Sequence, residues 1–284
     1  MNKLLLSFLT CLMISSITFS QEEIHVVLLA GQSNMAGRGV SKELDAALIK
    51  RIQDVSDRVL ISTSDIEKKK PEPLSTFKKS FGPELMVGLT LAEANPEQHY
   101  LLIKKAVGGT SLYGAWSTEW TKEKAMVAER GEERQNLKLY SQHIKNIHYN
   151  LEELKAENKT FKILGLLWMQ GESDTNKAIT ATSYQNNIQN LINGYRSELK
   201  IKDLPVVIGQ VNVLPRKYKI GPTQVRDAML SVANSDKNIG IIETSTDKNW
   251  SDFPKHSDNL HYNTIGQKRL GIAFAKELIK LLNK

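Results

Sequence analysis

Five short segments of the chain are apolar almost without interruption: residues 24–30, 100–104, 161–169, 206–211 and 239–243. They are rich in Val, Ile and Leu, and they do not alternate apolar with polar side chains as a strand with one wet face does. Continuous runs of this kind predict strands covered on both faces. Residues 58–62 are a candidate for a further strand. Between the runs the spacing changes. Over 136–155 the apolar positions are Leu137, Tyr140, Ile144, Ile147, Leu151 and Leu154, three or four apart, which places one apolar stripe along a helix. Tyr184, Ile188, Leu191 and Tyr195 repeat that spacing, as do Leu270, Phe274, Leu278 and Leu281. Thr264-Ile265-Gly266-Gln267 has capping-box spacing, which predicts Thr264 as the cap of the last helix. Gly82-Pro83-Glu84 puts Pro where a first helical turn tolerates it.

Strands alternating with helices imply a parallel sheet with helices on both faces. The expectation is an α/β fold of three layers, αβα, around a central, mostly parallel five-stranded sheet. Ligands of such sheets bind beyond the carboxyl ends of the strands, so that is where chemistry is sought.

Composition narrows the classes. Of 284 residues, 40% are hydrophobic and 24% charged, which suits a globular protein and excludes a collagen-like or disordered chain. Met1-Asn2-Lys3, an apolar stretch over 4–19, and Thr18 and Ser20 ahead of Gln21-Glu22-Glu23 follow the pattern of a secretory signal peptide. Residues 1–20 are therefore expected to be removed, leaving one domain over 21–284, secreted or periplasmic and not inserted in a membrane. The single cysteine, Cys11, lies in that leader, so the rest of the chain has no disulfide, thiol nucleophile or zinc-thiolate site. The formal charge of +7 reads as a lysine-rich solvated surface rather than as a site for an anionic polymer. Lys68-Lys69-Lys70 stops at Pro71, acidic residues are interleaved elsewhere, and no aromatic-basic signature accompanies the lysines, so no nucleic-acid partner is expected.

Three features fall just after predicted strands, and a fourth falls just before the last helix. The first run leads into Gly31-Gln32-Ser33-Asn34-Met35, which lacks the endings of a phosphate loop, a dinucleotide fingerprint or a G-x-S-x-G elbow. What is left is a serine on a tight turn, a nucleophile or a helix cap. Gly108-Gly109-Thr110-Ser111 lets the backbone approach a ligand closely. Gln170-Gly171-Glu172-Ser173-Asp174 puts amide and acid groups at the same edge. Asp258-Asn259-Leu260-His261 precedes the last helix, and an acid three residues before a histidine can hold its tautomer. There is no His-Glu-x-x-His or Cys-His set, so neither a metal nor another cofactor is expected. An alcohol, a Gly-Gly turn, an amide-bearing loop and an Asp-His pair at one sheet edge point to nucleophilic hydrolysis.

These blocks resemble the SGNH hydrolase superfamily and, more closely, its carbohydrate esterase branch, which includes acetylxylan esterases and the sialate O-acetylesterase-like domain. The resemblance runs from Gly31 to Gly271 and implies the flavodoxin-like SGNH hydrolase fold. It implies Ser33 as nucleophile, His261 as its general base, and Asp258 or Glu172 as the carboxylate behind the histidine. It also implies an oxyanion hole made by the N–H groups of Ser33 and Gly109 with the side-chain amide of Gln170. Asn34, Trp116 and Trp120 are the candidates for substrate contact, with core packing the equal alternative for the two tryptophans. The expected function is a secreted serine esterase that removes acetyl groups from a glycan, foremost acetylated xylan or a related plant polysaccharide. The alternatives are a sialate O-acetylesterase and a non-catalytic glycan-binding protein on the same fold. Oligomeric state is not legible in the sequence.

Overall fold

The computed structural model describes residues 23–63, 70–76, 78–247 and 249–284. The leader expected over 1–20 lies outside them. Seven strands form one sheet: β1 (Glu23–Gly31), β2 (Val59–Ser62), β3 (Glu72–Pro73), β4 (His99–Ala106), β5 (Thr160–Met169), β6 (Val206–Gly209) and β7 (Ile239–Ile242). Their order across the sheet is β3-β2-β4-β1-β5-β6-β7, and every neighbouring pair is parallel except β2 and β3. The five expected strands are present and the further candidate at 58–62 is β2, so that with β3 the sheet is wider than the expected five by two. The extra strands lie at the margin, where covering on both faces is not required. Two of the four residues of β2 are only partly buried, and β3 ends on Pro73, which an edge position tolerates.

The central strand explains the continuous apolar runs. Val26, Leu28 and Ala30 of β1 enter one core and Val27 and Leu29 the other, because successive side chains point to opposite faces. The chain leaves β1 into one helical turn, α1 (Ser33–Ala36), then α2 (Ala46–Asp54), α3 (Glu84–Ala94), α4 (Leu139–Ala156), α5 (Tyr184–Glu198), α6 (Gly221–Ser235) and α7 (Thr264–Leu282). Helices α4, α5 and α6 cover the first face and α2, α3 and α7 the second, giving the three layers. The stripe Tyr140, Ile144, Ile147 and Leu151 of α4 and the stripe Leu270, Phe274, Leu278 and Leu281 of α7 are buried as their spacing requires. Each such side chain contributes roughly 1.5–3 kcal/mol on burial.

The last helix starts differently from expectation. Its cap is Asn263, whose Oδ1 accepts the Gly266 N–H at 3.0 Å. Thr264 is already helical, and its hydroxyl is taken by the Val40 N–H at 2.8 Å. Among the described residues no helix is long and apolar enough to cross a membrane. Strands β2, β3 and β4 lie on one side of β1 and β5, β6 and β7 on the other, so the carboxyl end of β1 opens into the crevice where such sheets bind ligands.

Candidate active site

At the end of β1 the backbones of β1 and β5 come very close. A Cβ on Gly31 would stand 2.0 Å from the Met169 carbonyl oxygen, so only glycine fits, and the Gln32 N–H bonds that oxygen at 2.9 Å. The chain then turns into α1, with Gln32 rather than Ser33 at the cap position. The Ser33 hydroxyl is thus not spent on capping. It is almost buried and donates to His261 Nε2 at 3.0 Å, and His261 Nδ1 donates to Asp258 Oδ2 at 2.6 Å. Asp258 Oδ1 accepts the N–H groups of Leu260 at 2.9 Å and His261 at 3.0 Å, so one carboxylate both closes the turn and holds the ring it carries. Asn259 completes that turn at φ 56°, a left-handed conformation that asparagine tolerates. Burial pushes the Asp258 carboxyl up, but the two N–H groups and the His261 ring outweigh it and bring it down to about 2. An ionised Asp258 keeps the proton on Nδ1 and leaves Nε2 free to accept one.

Glu172, the other carboxylate considered, lies beside His261 without bonding it. Its Oε1 accepts from Asn34 Nδ2 at 2.7 Å, while Oε2 is buried with no partner, and burial pushes this carboxyl up against the opposing pull of Asn34 and His261. Asn34, a candidate for substrate contact, does not line the cleft. It is buried; its Nδ2 also reaches the Leu260 carbonyl at 3.3 Å, and its Oδ1 accepts the Tyr262 N–H at 3.0 Å. Both ends of this amide tie α1 to the loop that carries His261.

The Gly-Gly turn lies against the serine: a Cβ on Gly108 would stand 3.5 Å from Ser33 Cβ. Gly109 has φ 74°, where glycine pays no steric penalty. The N–H groups of Ser33 and Gly109 have no hydrogen-bond partner among the described residues. Gln170 does not join them. It is fully buried, its Nε2 donates to Asp174 Oδ2 at 2.6 Å and the Thr110 carbonyl at 3.0 Å, and it does not line the cleft. The amide that sequence reading overlooks is Gln32, next to the serine. Gln32 lines the cleft, its Oε1 accepting from Gln170 and the Ser173 N–H, both at 3.4 Å.

Two buried acids hold the loop that follows the Gly-Gly turn. Asp174 accepts the N–H groups of Leu112 at 2.9 Å and Tyr113 at 3.1 Å. Glu129 Oε1 accepts from the Ser111 N–H and hydroxyl and from the Ala115 N–H, at 2.9, 2.6 and 3.0 Å. Burial pushes Asp174 up to about 7 despite these donors, and pushes Glu129 up as well. Trp116, expected as a possible sugar platform, belongs to this interior: it is fully buried, edge-on to Trp168 with ring centres 5.2 Å apart. Trp120 is partly buried beneath the Lys138 ammonium, 4.3 Å from its ring centre, and does not line the cleft.

The cleft above Ser33 has a volume of about 440 Å³. Gln32, Ser33, Gly108, Gly109, Glu172 and His261 form its floor, with Arg38, Arg134 and Arg216 around it. Among the described residues no group of three His, Cys, Asp or Glu side chains is placed to hold a metal ion.

Residues 23–280 match the model of a family described as carbohydrate esterase, sialic acid-specific acetylesterase. A probable carbohydrate esterase of Arabidopsis thaliana is 30% identical over 267 residues, covering 88% of each chain. The X-ray structure of that Arabidopsis protein is similar with a TM-score of 0.66 at 22% identity, over 91% of this chain and 98% of the other. The crystal structure of NanS is similar with a TM-score of 0.63 at 16% identity, over 93% and 98%.

Proposed function

The chain belongs to the carbohydrate esterase, sialic acid-specific acetylesterase family and is an esterase of carbohydrate O-acetyl groups, and from that premise we propose that it works through an acetyl-serine intermediate on Ser33. Ser33 Oγ attacks the acetyl carbonyl while His261 Nε2 takes its proton. The sugar oxygen leaves with that proton as the tetrahedral intermediate collapses, and a water deprotonated by His261 then releases acetate. Asp258 keeps the ring oriented and stabilises its charged form. The N–H groups of Ser33 and Gly109, with the Gln32 amide beside them, are the donors for the oxyanion, and losing one such donor typically costs about 10²–10³ in rate. The observation that carries this reading is the unbroken line of bonds from Ser33 Oγ through His261 to Asp258, at 3.0 and 2.6 Å.

For the substrate, the proposal is acetylated xylan or a related plant polysaccharide, supported by the 30% identity to the Arabidopsis probable carbohydrate esterase. The family's own description favours O-acetylated sialic acid as the second reading. Purified protein should hydrolyse p-nitrophenyl acetate, and Ser33→Ala should lower kcat by about 10⁴ or more. Equal turnover by both proteins would rule out the acetyl-serine route. Acetate release from acetylated xylan against O-acetylated sialic acid then decides the substrate. Export rests on the charged-then-apolar pattern of residues 1–20. N-terminal sequencing of the protein recovered outside the cytoplasm should start near residue 21.

A further inference from the structure

A second, smaller pocket of about 260 Å³ adjoins the cleft. The two share Gly109, Arg134, Ser173 and Arg216, but the smaller one touches neither Ser33 nor His261. Its remaining walls carry Arg130, Lys177 and Lys217, so five cationic side chains converge on one small space. None of the five makes an ion pair among the described residues. The single acid in the wall, Glu129, hydrogen-bonds none of them: its Oε1 accepts from Ser111 and Ala115, and burial pushes its carboxyl up against the opposing charge of Arg134. The cations also disfavour one another. Burial lowers the Arg216 guanidinium and the Arg130 charge adds to that, with Glu172 opposing.

Unpaired guanidinium groups held close together are stabilised by an anion, and their fork geometry suits a carboxylate or a sulfate bound through two oxygens. A track for a nucleic acid would need cations spread along a groove with aromatic platforms, whereas these surround a single hollow. The volume is below the roughly 300–1,000 Å³ of sites that enclose a whole small molecule, so it suits one charged substituent rather than a length of chain. The placement matters equally. Gly109 and Arg134 form the boundary, so a group in this pocket belongs to a sugar beside the one whose ester lies at Ser33.

We propose that the pocket bounded by Arg130, Arg134, Lys177, Arg216 and Lys217 is an anion subsite, and that the esterase prefers glycans in which a residue neighbouring the acetylated one bears a carboxylate or a sulfate. The inference rests on the esterase reading of the cleft. It also revises the expectation that the positive charge is merely a solvated surface.

The test is binding to the full chain carrying Ser33→Ala, titrated by calorimetry with three probes: a xylo-oligosaccharide bearing glucuronic acid, its carboxyl-reduced neutral form, and a sulfated xylo-oligosaccharide. At least one acidic probe should bind about tenfold or more tightly than the neutral form, and whichever acid binds more tightly identifies the anion. The advantage should shrink as salt is raised. It should fall below about twofold in Ser33→Ala carrying Arg130→Glu and Lys217→Glu, two exposed positions where charge reversal leaves the core intact. Equal affinity for acidic and neutral probes, or an advantage that survives the double reversal, would overturn the proposal. Failure of the esterase reading shows elsewhere, as absent p-nitrophenyl acetate turnover by the unaltered protein, and leaves this binding comparison intact.

Discussion

Two sets of carboxylates meet at the carboxyl edge of the sheet, and they are built in opposite ways. Asp258 is half exposed, with 47% of its side chain accessible, and all its bonds are to residues two or three positions along the chain. Asp174 and Glu129 are buried, and they bond a loop 62 and 14–18 residues away in sequence. Asp258 ionises more readily than an ordinary aspartate, whereas Asp174 and Glu129 ionise less readily. On the proposed mechanism the moving proton is thus handled by a self-contained turn in contact with water, and the stationary oxyanion donors by a dry frame that depends on the whole fold. Charge that must change during turnover sits where water can screen it, and geometry that must not change sits where packing fixes it.

If that division is right, substitutions in the turn should cost activity and substitutions in the frame should cost stability. The largest expected effect is Asp258→Asn. Its carbonyl oxygen can still accept the Leu260 and His261 N–H groups, but its amide can turn a donor toward Nδ1 and put the ring proton on Nε2, where it blocks the serine. We expect kcat to fall by about 10²–10⁴. Unfolding free energy at neutral pH should fall by about 1 kcal/mol at most, the worth of a half-exposed charged pair. A large loss of stability would mean that the turn is not self-contained. Next comes Asp174→Ala, which strands the N–H groups of Leu112 and Tyr113 and the Gln170 amide in the interior. Orphaned buried donors cost about 1–3 kcal/mol each, so urea unfolding should show a loss of about 3 kcal/mol or more. Its effect on kcat should be smaller than that of Asp258→Asn.

The same contrast shows which parts of the molecule could be read in advance. The central strands were legible because covering on both faces leaves an unmistakable apolar run, as in β1. Strand β2 left only the weaker trace at residues 58–62 and β3 left none, since a half-covered or two-residue strand needs no such run. Ser33 stood out as a reactive type at a strand end, and Asp258 and His261 as an acid and a histidine three apart before the last helix, where local spacing alone lets them face each other. The direction of an amide carries no such mark. Gln170 and Gln32 both follow strands, and it is bonds to Asp174 and to the distant Thr110 carbonyl that turn Gln170 inward, while Gln32 lines the cleft. Glu129 was invisible for the same reason, lying in a charged stretch that reads as a solvated loop until folding buries it. Trp116 lies in a loop without periodicity, so its place in the core comes from tertiary packing alone.

Acidity should separate the two sets by sign. Asp174, pushed up from 3.8 to about 7, keeps a proton in the folded chain that the unfolded chain releases above about pH 4. It therefore stabilises the fold progressively as pH falls from about 7 to about 4, and Glu129 and Glu172 act in the same direction. Asp258, brought down to about 2, stabilises the fold above about pH 4 and loses that contribution as pH falls toward 2. Thermal melts should show Tm rising between pH 7.5 and 5 and dropping below 4. Asp174→Asn should flatten the upper part of that curve, and Asp258→Asn, which lacks the contribution present above about pH 4, should lower Tm slightly there and make the acid drop shallower. A Tm that falls steadily from pH 7.5 downward would contradict the buried frame.

The smallest expected effect tests where the turn stops and the fold begins. Asn263 follows the relay turn directly and caps α7, accepting the Gly266 N–H at 3.0 Å, while its own N–H bonds the Pro254 carbonyl at the same distance. Asn263→Ala removes the side-chain cap and the Nδ2 bond to the Lys255 carbonyl and leaves that backbone bond, which should cost about 1–2 kcal/mol. Asn263→Asp should restore most of the loss, since a carboxylate caps as well and also favours the positive helix end, although it cannot donate to the Lys255 carbonyl as the amide does at 3.3 Å. The relay itself is tied to α1 by Asn34 rather than by the cap, through the Leu260 carbonyl and the Tyr262 N–H. Activity measured well below the melting temperature should therefore change by less than about twofold in Asn263→Ala, a difference under about 0.4 kcal/mol. A drop in kcat larger than the loss of stability explains would show that His261 is aimed by the helix start, and the turn would then belong with the frame.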